Sequence, residues 1–310
     1  MYCVEVHSLS ATRPAGWRAG RRRGTAPGRT LLGGLSALLL CGLLLVACFA
    51  PRLAPYDPAY CHLNTQGGLM RLQAPTRTFL LGTDARGRDV LSRMIYGARV
   101  VLLVGGGAVV IGMGLGLLVG LLAGTWEGRL DAGLQCLGEA LMALPGLVLA
   151  LAVLSLYGQS LRNVILVLGL VIAPGAARVV RGTVLVSKQQ SYVEAARAAG
   201  ASSGLIFVRH LLPAVWPPVL GLASAWGAQA IVLEAALSFV GFGTPPPMPT
   251  WGGMMSGAGR RGWESTPYLA LFPGLMLSLV VLALYLCGEV LQDLLASRLH
   301  GLKAVRTMKG

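Results

Sequence analysis

Charge is what this chain has least of. Only 12% of its 310 residues are Asp, Glu, Lys or Arg, against about 25% in a soluble domain, while 55% are hydrophobic. A water-soluble core of this size has no room for that much apolar surface, so the composition excludes a soluble globular protein. Lysine is nearly absent: Lys188, Lys303 and Lys309 are the whole set, none follows a glycine-rich loop, and GxxxxGK[ST] occurs nowhere. The chain therefore has no P-loop of its own. HExxH and GxSxG are missing too, and the four histidines, His7, His62, His210 and His300, are scattered. The six cysteines form no CxxC pair, and four lie in or near apolar runs; they read as small hydrophobes, not as disulfide or metal sites. No catalytic residue and no metal ligand set is expected, so the energy for any work comes from another chain.

What is present is long apolar runs and an excess of arginine. The net charge is +14, and the bases sit mostly at the edges of the runs and in the tails. That placement suits anionic lipid headgroups and excludes nucleic acid as the partner. Residues 1–30 hold Arg13, Arg18, Arg21, Arg22, Arg23 and Arg29 with almost no apolar periodicity, which predicts a disordered basic tail. Leu31–Ala50 follows, 20 residues without a charge, long enough to cross a hydrocarbon core of about 30 Å. Its "LVAC" ending imitates a lipoprotein signal. The run exceeds the roughly 7–15 residues of a signal core, so an uncleaved anchor is expected.

Five further spans are predicted: Val100–Gly124, Leu134–Tyr157, Val164–Val180, Trp216–Gly241 and Leu269–Leu291. Each must be helical, because lipid offers the backbone no hydrogen-bond partner. Six crossings put both termini on one side. Placing them inside gives 15 bases inside and ten outside, with Arg178 within a span, the direction that positive charge favours. The resulting division is a tail 1–30, an anchor 31–50, an extracytoplasmic loop 51–99, a five-helix core 100–300 and a tail 301–310.

Gly112, Gly116, Gly120 and Gly124 recur every fourth residue in the second span and present a bare backbone stripe for close helix packing, expected within the chain. Pro145 and Pro174 each remove a helix hydrogen bond and predict kinks in spans three and four. Glu139 and Glu234 lie inside spans, a costly place for a carboxylate unless it faces protein or water; they read either as cavity lining or as packing and interfacial carboxylates. Asp84, Arg86, Arg88 and Asp89 read as local pairs that hold the 51–99 loop.

Between spans four and five stands "SYVEAARAAG", residues 191–200, too short to span anything. Ser191 and Glu194 have the spacing of a capping box, Glu194 suits the positive end of the helix dipole, and Gly200 suits a left-handed stop. By these residues alone it is either a surface connector or a thin helix that enters a groove on another protein.

A resemblance decides between these. "EAARAAGASSGLIFVRHLLP", Glu194–Pro213, resembles the EAA loop of binding-protein-dependent ABC importers: Glu194, Ala195, Ala196, Gly200, Leu212 and Pro213 fall in register, and His210 stands where an apolar residue is usual. "LLGTDARGRDVLSRMIYGARVVLLVG" (Leu80–Gly105), "ALSFVGFGTPPPMPTWGGMM" (Ala236–Met255) and "FPGLMLSLVVLAL" (Phe272–Leu284) are similar to the dipeptide, oligopeptide and nickel permeases, in particular the second (C-type) of their two permease subunits. The ending "GEVLQDLLASRLHG" departs from the usual pattern at Ala296–Ser297.

The resemblance implies an all-α integral membrane protein with six transmembrane helices, the type I ABC importer permease fold, and a cytoplasmic coupling helix within 191–213. It implies a paralogous permease, two ATPase subunits that bind ATP and Mg, and an extracytoplasmic substrate-binding protein, all at the bacterial inner membrane. The Pro/Gly-rich turn at 241–255 would face that binding protein. The expected cargo is di- or oligopeptide. A nickel or other metal chelate is the rival within the class, and an ATP-independent channel or secondary transporter is the rival outside it.

Overall fold

Glycine decides where the two central helices meet. The computed structural model describes residues 27–64, 66–126, 128–259 and 266–307; most of the basic tail lies outside them. Helix α3 (Val90–Thr125) and helix α6 (Leu161–Lys188) pack along the stripe of Gly112, Gly116, Gly120 and Gly124, all four buried. A Cβ on Gly112 would stand 2.7 Å from Ile172 Cβ and 2.8 Å from the Gly169 carbonyl; on Gly116 it would strike Ala176 and come within 2.9 Å of the Ala177 nitrogen. On Gly120 it would lie 2.5 Å from the Ala177 carbonyl, and on Gly124 2.8 Å from Val184 Cβ. Gly169 returns the fit: a Cβ there would stand 2.7 Å from Ile111 Cγ2. The seam covers about 18 Å at 1.5 Å per residue and lies within the chain.

The register of this seam also sets the topology. Contacts advance together along both helices, so α3 and α6 are parallel, and the chain between them must return across the bundle. That return is made by α4 (Arg129–Ala143) and α5 (Gly146–Tyr157), bent by 93°. Here the expectation of one kinked span over 134–157 is corrected to a broken one beginning at Arg129. Leu144 is extended (φ −87°, ψ 134°), and Pro145 is the N-cap of α5, as the restriction on a residue before proline requires. At 12 residues, α5 reaches only about 18 Å and cannot cross alone. Counting the pair as one crossing, the five unbroken spans among the described residues become six. Pro174 has the opposite outcome: α6 continues through it, because Ile172 and Ala176 are held on either side by the glycine seam.

The other spans wrap this pair. The span Ser203–Val240 contains α8 (Ser203–Ile206), a π-helical turn (Phe207–Leu211) and α9 (Leu212–Val240), and so begins well before the apolar run suggested. The wider π turn precedes Pro213, where the backbone has no N–H to give. Helix α9 runs antiparallel to α3, with Ile231 against Gly105 and Val109 against Gly227. Helix α11 (Tyr268–Thr307) runs antiparallel to α9: Gln292 Nε2 donates to the Gly221 carbonyl at 2.7 Å, and Gly288 lies against Ser224. Helix α1 (Pro27–Cys48) is outermost; Gly33 seats Val290, and Leu31, Leu35, Leu38 and Leu45 are exposed, a surface fit for lipid. The start of α1 and the later part of α11 therefore share one end of the bundle.

At the opposite end, the loop after α2 (Ala50–Leu53) has its own small core, with His62 edge-on to Tyr56 at 4.6 Å and to Phe79 at 4.8 Å. Asp89 caps α3 by accepting from Ser92 N at 2.8 Å. This starts the helix ten residues before the apolar run, under cover of the polar Arg93 and Arg99. The 241–255 segment is not simply a turn: α10 starts at Trp251, whose Nε1 donates to the Met94 carbonyl at 3.1 Å in a notch left by Gly97.

Two alanine substitutions separate helix propensity from packing. Gly116→Ala should lower stability by about 1–3 kcal/mol through overpacking. Gly114→Ala, with nothing near its Cβ position, should be neutral or up to about 1 kcal/mol stabilising. Melting of the two purified variants in one detergent measures this, and equal melting temperatures would rule out the seam as the origin of the difference.

Candidate functional site

The short segment after α6 forms helix α7 (Ser191–Ala198), at the bundle end where Gly124 meets Val184. The expected capping box does not form. Gln190 is the N-cap (φ −80°, ψ 140°), with no side-chain cap bond, and its carbonyl already accepts from Glu194 N at 3.2 Å. Ser191 is therefore inside the first turn, where its hydroxyl cannot stand in front of the free N–H groups. Glu194 remains in that first turn, near the positive end of the dipole. The other end is as read: Gly200 has φ +81°, Ala201 N donates to the Ala196 carbonyl at 3.0 Å, and Gly200 N donates to Arg197 at 2.9 Å, the paired bonds of a Schellman motif.

One residue fastens α7 to the bundle. Val193 is fully buried among Val180 and Val184 of α6, Ile206, Leu211 of the π turn, and Val215 and Val219 of α9. Ala196 is half-buried against this cluster and Leu212 is half-buried, whereas Glu194, Ala195, Gly200 and Pro213 are exposed. The helix thus shows one apolar contact inward and a small-residue face outward. His210 packs its ring on Tyr192 at 5.6 Å, so the departure from the usual motif is absorbed by a ring contact between the two halves of the segment.

Polar contacts around this end have no periodic signal in the sequence. Arg181 Nε and Nη2 donate to the two oxygens of Asp131, both at 2.7 Å, and join α6 to α4 across fifty residues. Lys188 Nζ donates to the Thr125 carbonyl at 2.9 Å, closing the C-terminal end of α3, where a cation is favourable. Only their partners, brought close by the glycine seam, show what they do.

Glu139 and Glu234 do not come together. Glu234 is 1% exposed in α9 and accepts from Ser238 Oγ at 2.6 Å. Glu139 is exposed on α4, a helix with no buried residue. Asp84 Oδ2 accepts from Arg88 Nε at 2.8 Å, while Oδ1 accepts from the backbone of Arg86 and Arg88; the carboxylate pins its own turn.

Among the described residues the chain is an all-helical bundle with five unbroken spans and one broken pair, and a small, anchored, exposed helix between the fourth and fifth crossings; this defines an integral membrane protein. The chain belongs to the family described as "Binding-protein-dependent transport system inner membrane component", whose pattern matches residues 116–301. It is 37% identical over 287 residues to the glutathione transport system permease protein GsiD of Pectobacterium atrosepticum, covering 91% of each chain. To the GsiD of Escherichia coli O6:K15:H31 it is 38% identical over 289 residues, 92% of this chain and 90% of that one. Among solved structures, an inward-facing form of the MetNI methionine ABC transporter superposes with TM-score 0.55 at 19% identity, over 66% of this chain and 97% of that one; this likeness concerns the fold. The protein is accordingly a multi-pass inner-membrane component of an ABC importer, a class that works with ATPase and substrate-binding partners.

The stop at Gly200 is open to test. Gly200→Ala should cost about 1–2 kcal/mol by forcing a Cβ into the left-handed region and should raise amide exchange across 191–201. Gly204→Ala, with ordinary φ and open space, should leave exchange unchanged; equal exchange in the two variants would remove Gly200 from this role.

Proposed function

We propose that this chain is one of two paralogous permease subunits of an importer for short peptides, and that residues 191–213 transmit the closure of its ATPases to the membrane helices. The observation behind this reading is Val193: a fully buried side chain tying α7 to α6, the π turn and α9, while Glu194, Ala195 and Ala198 face outward. A push on α7 has no slack to take up before it reaches the helices, because close-packed interiors transmit displacement.

In this reading Glu194, Ala195, Ala196, Gly200, Leu212 and Pro213 form and shape the element that enters a cleft of the ATPase. ATP and Mg are held by the ATPase subunits. Both termini and α7 face the cytoplasm, in keeping with the 15-to-ten bias of Lys and Arg. The paralogous permease completes the path, and an extracytoplasmic binding protein delivers cargo at the other end. The exposure of Glu139 supports a place along the path or the subunit boundary; its bond to Ser238 supports a packing role for Glu234. Peptide is preferred as cargo because the GsiD relatives are named for transport of glutathione, a tripeptide.

The test is uptake and ATP hydrolysis by the reconstituted four-subunit complex with its binding protein, supplied in turn with glutathione, dipeptides, longer peptides and Ni²⁺. Glutathione or another short peptide should stimulate both. Glu194→Arg should lower uptake by about tenfold or more, as reversal of an interface charge does, while the ATPases retain basal hydrolysis. Stimulation by Ni²⁺ alone would replace the cargo; a chain that never joins the ATPases would defeat the coupling reading.

A further inference from the structure

The end of the bundle opposite α7 holds a cavity of about 420 Å³, within the rough 300–1,000 Å³ range of small-molecule sites. Its walls come from five parts of the chain: the turn leading into α3 with the first turn of that helix, the end of α9 with the segment after it, α10, Leu269 at the start of α11, and Gln159 from the α5–α6 turn. Arg86, Arg88 and Arg93 line it against a single acid, Asp84. That acid is already committed: Oδ2 accepts both Nε and Nη2 of Arg88 at 2.8 and 2.7 Å, and Oδ1 accepts two backbone N–H groups. Neighbouring acids are engaged as well, Asp89 in capping α3 and Glu234 with Ser238. Among the described residues that line it, the wall carries two more guanidinium groups than carboxylates.

Two polar groups on this wall are buried without a hydrogen-bond partner among the described residues: Nε of Arg93 and Oγ1 of Thr244. Arg93 is 7% exposed. Its Nη1 donates to the Pro58 carbonyl at 3.2 Å, but its Nε stands 3.5 Å from Asp84 Oδ2, too far for a hydrogen bond of useful strength. Thr244 is 9% exposed. The guanidinium N–H therefore has only this long ion pair and the hydroxyl has no hydrogen-bond partner among the described residues, which leaves hydrogen-bonding capacity at the wall for an acceptor that enters the cavity. The acceptor that matches a guanidinium and a hydroxyl is an anionic oxygen, carboxylate or phosphate, and the peptide reading favours the carboxylate.

We propose that this cavity is a binding site for the free carboxylate of the transported peptide, held by Arg86, Arg93 and Thr244. This rests on the peptide reading above and adds the chemical group by which the permease itself would select cargo. Met248, Met254 and Pro245 supply an apolar wall beside the charged one, suited to a peptide's side chains, and the volume exceeds what one carboxylate of a docked protein would fill.

The experiment is equilibrium binding of radiolabelled glutathione, and of glutathione with both carboxylates converted to amides, to the whole complex in lipid nanodiscs without the binding protein. The free acid should bind about tenfold or more tightly than the amide, the scale of a charge-assisted hydrogen bond. Thr244→Val keeps the side-chain shape, and Arg86→Gln changes an exposed residue; each should weaken the acid by a similar factor and leave the amide unchanged. Equal binding of acid and amide, or variants that bind as wild type, overturns the site. Displacement by inorganic phosphate with no preference between the peptides overturns it as well, as an unselective anion patch. Variants that instead lose affinity for the peptide-free binding protein assign the carboxylate to that protein and overturn the proposal. Uptake by the full system is measured in parallel: flat binding with intact glutathione uptake removes only this site, whereas absent wild-type uptake removes the peptide reading beneath it.

Discussion

The glycine seam between α3 and α6 is the contact on which the rest of the molecule depends. In lipid there is no hydrophobic drive between helices, so association rests on how closely backbones approach. Four glycines on α3 bring its backbone against the carbonyls of Gly169, Ala173 and Ala177, and the neighbouring dispersion contacts accumulate over the whole length. Because the seam joins two parallel helices, it obliges the chain between them to recross, and the broken α4–α5 pair is the result. The position of α7 follows from the same seam: Val184 fills the space beneath Gly124 and is also part of the pocket that receives Val193.

The two ends of the bundle are built differently. At the α7 end, anchoring is apolar and local, reinforced by Arg181 with Asp131 and by Lys188 on the last carbonyls of α3. This ties α7 to its neighbours while its other face stays exposed. At the opposite end, polar groups are committed in pairs and caps around Asp84 and Asp89, and Trp251 locks α10 onto α3. The arginine-rich turn is held rigid by one carboxylate, leaving the surplus positive charge directed at a cavity between elements.

Proline shows how context overrides a local rule. Pro145 and Pro174 both remove one hydrogen bond, yet one breaks a span through 93° and the other is carried inside a continuous helix. The difference lies in what surrounds them. Pro174 is buried in α6 between Ile172 and Ala176, which the glycine seam holds, whereas α4, before Pro145, has no buried residue and is tied to α6 by Arg181 and Asp131 near its far end. The capping box failed for a related reason: Ser191 and Glu194 have the right spacing, but the carbonyl of Gln190 had already opened the helix one residue earlier.

By itself the sequence determined the class of the molecule. Apolar runs free of charge admit only spanning helices in lipid, glycine every fourth residue admits only close packing on that face, and the segment 191–200 with its terminal glycine marked a short helix down to the residue that stops it. These are consequences of short-range chemistry, readable wherever spacing is set by one helix. Tertiary structure alone decided the rest: that α3 and α6 are parallel, that α3 starts at Val90 behind its cap Asp89, within a stretch too polar to read as a span, and that Val193 is the anchor. It also decided that Arg181 meets Asp131 and that Arg93 and Thr244 share a cavity. Each of these joins residues distant in the chain, and no local period records which distant partner a side chain will find.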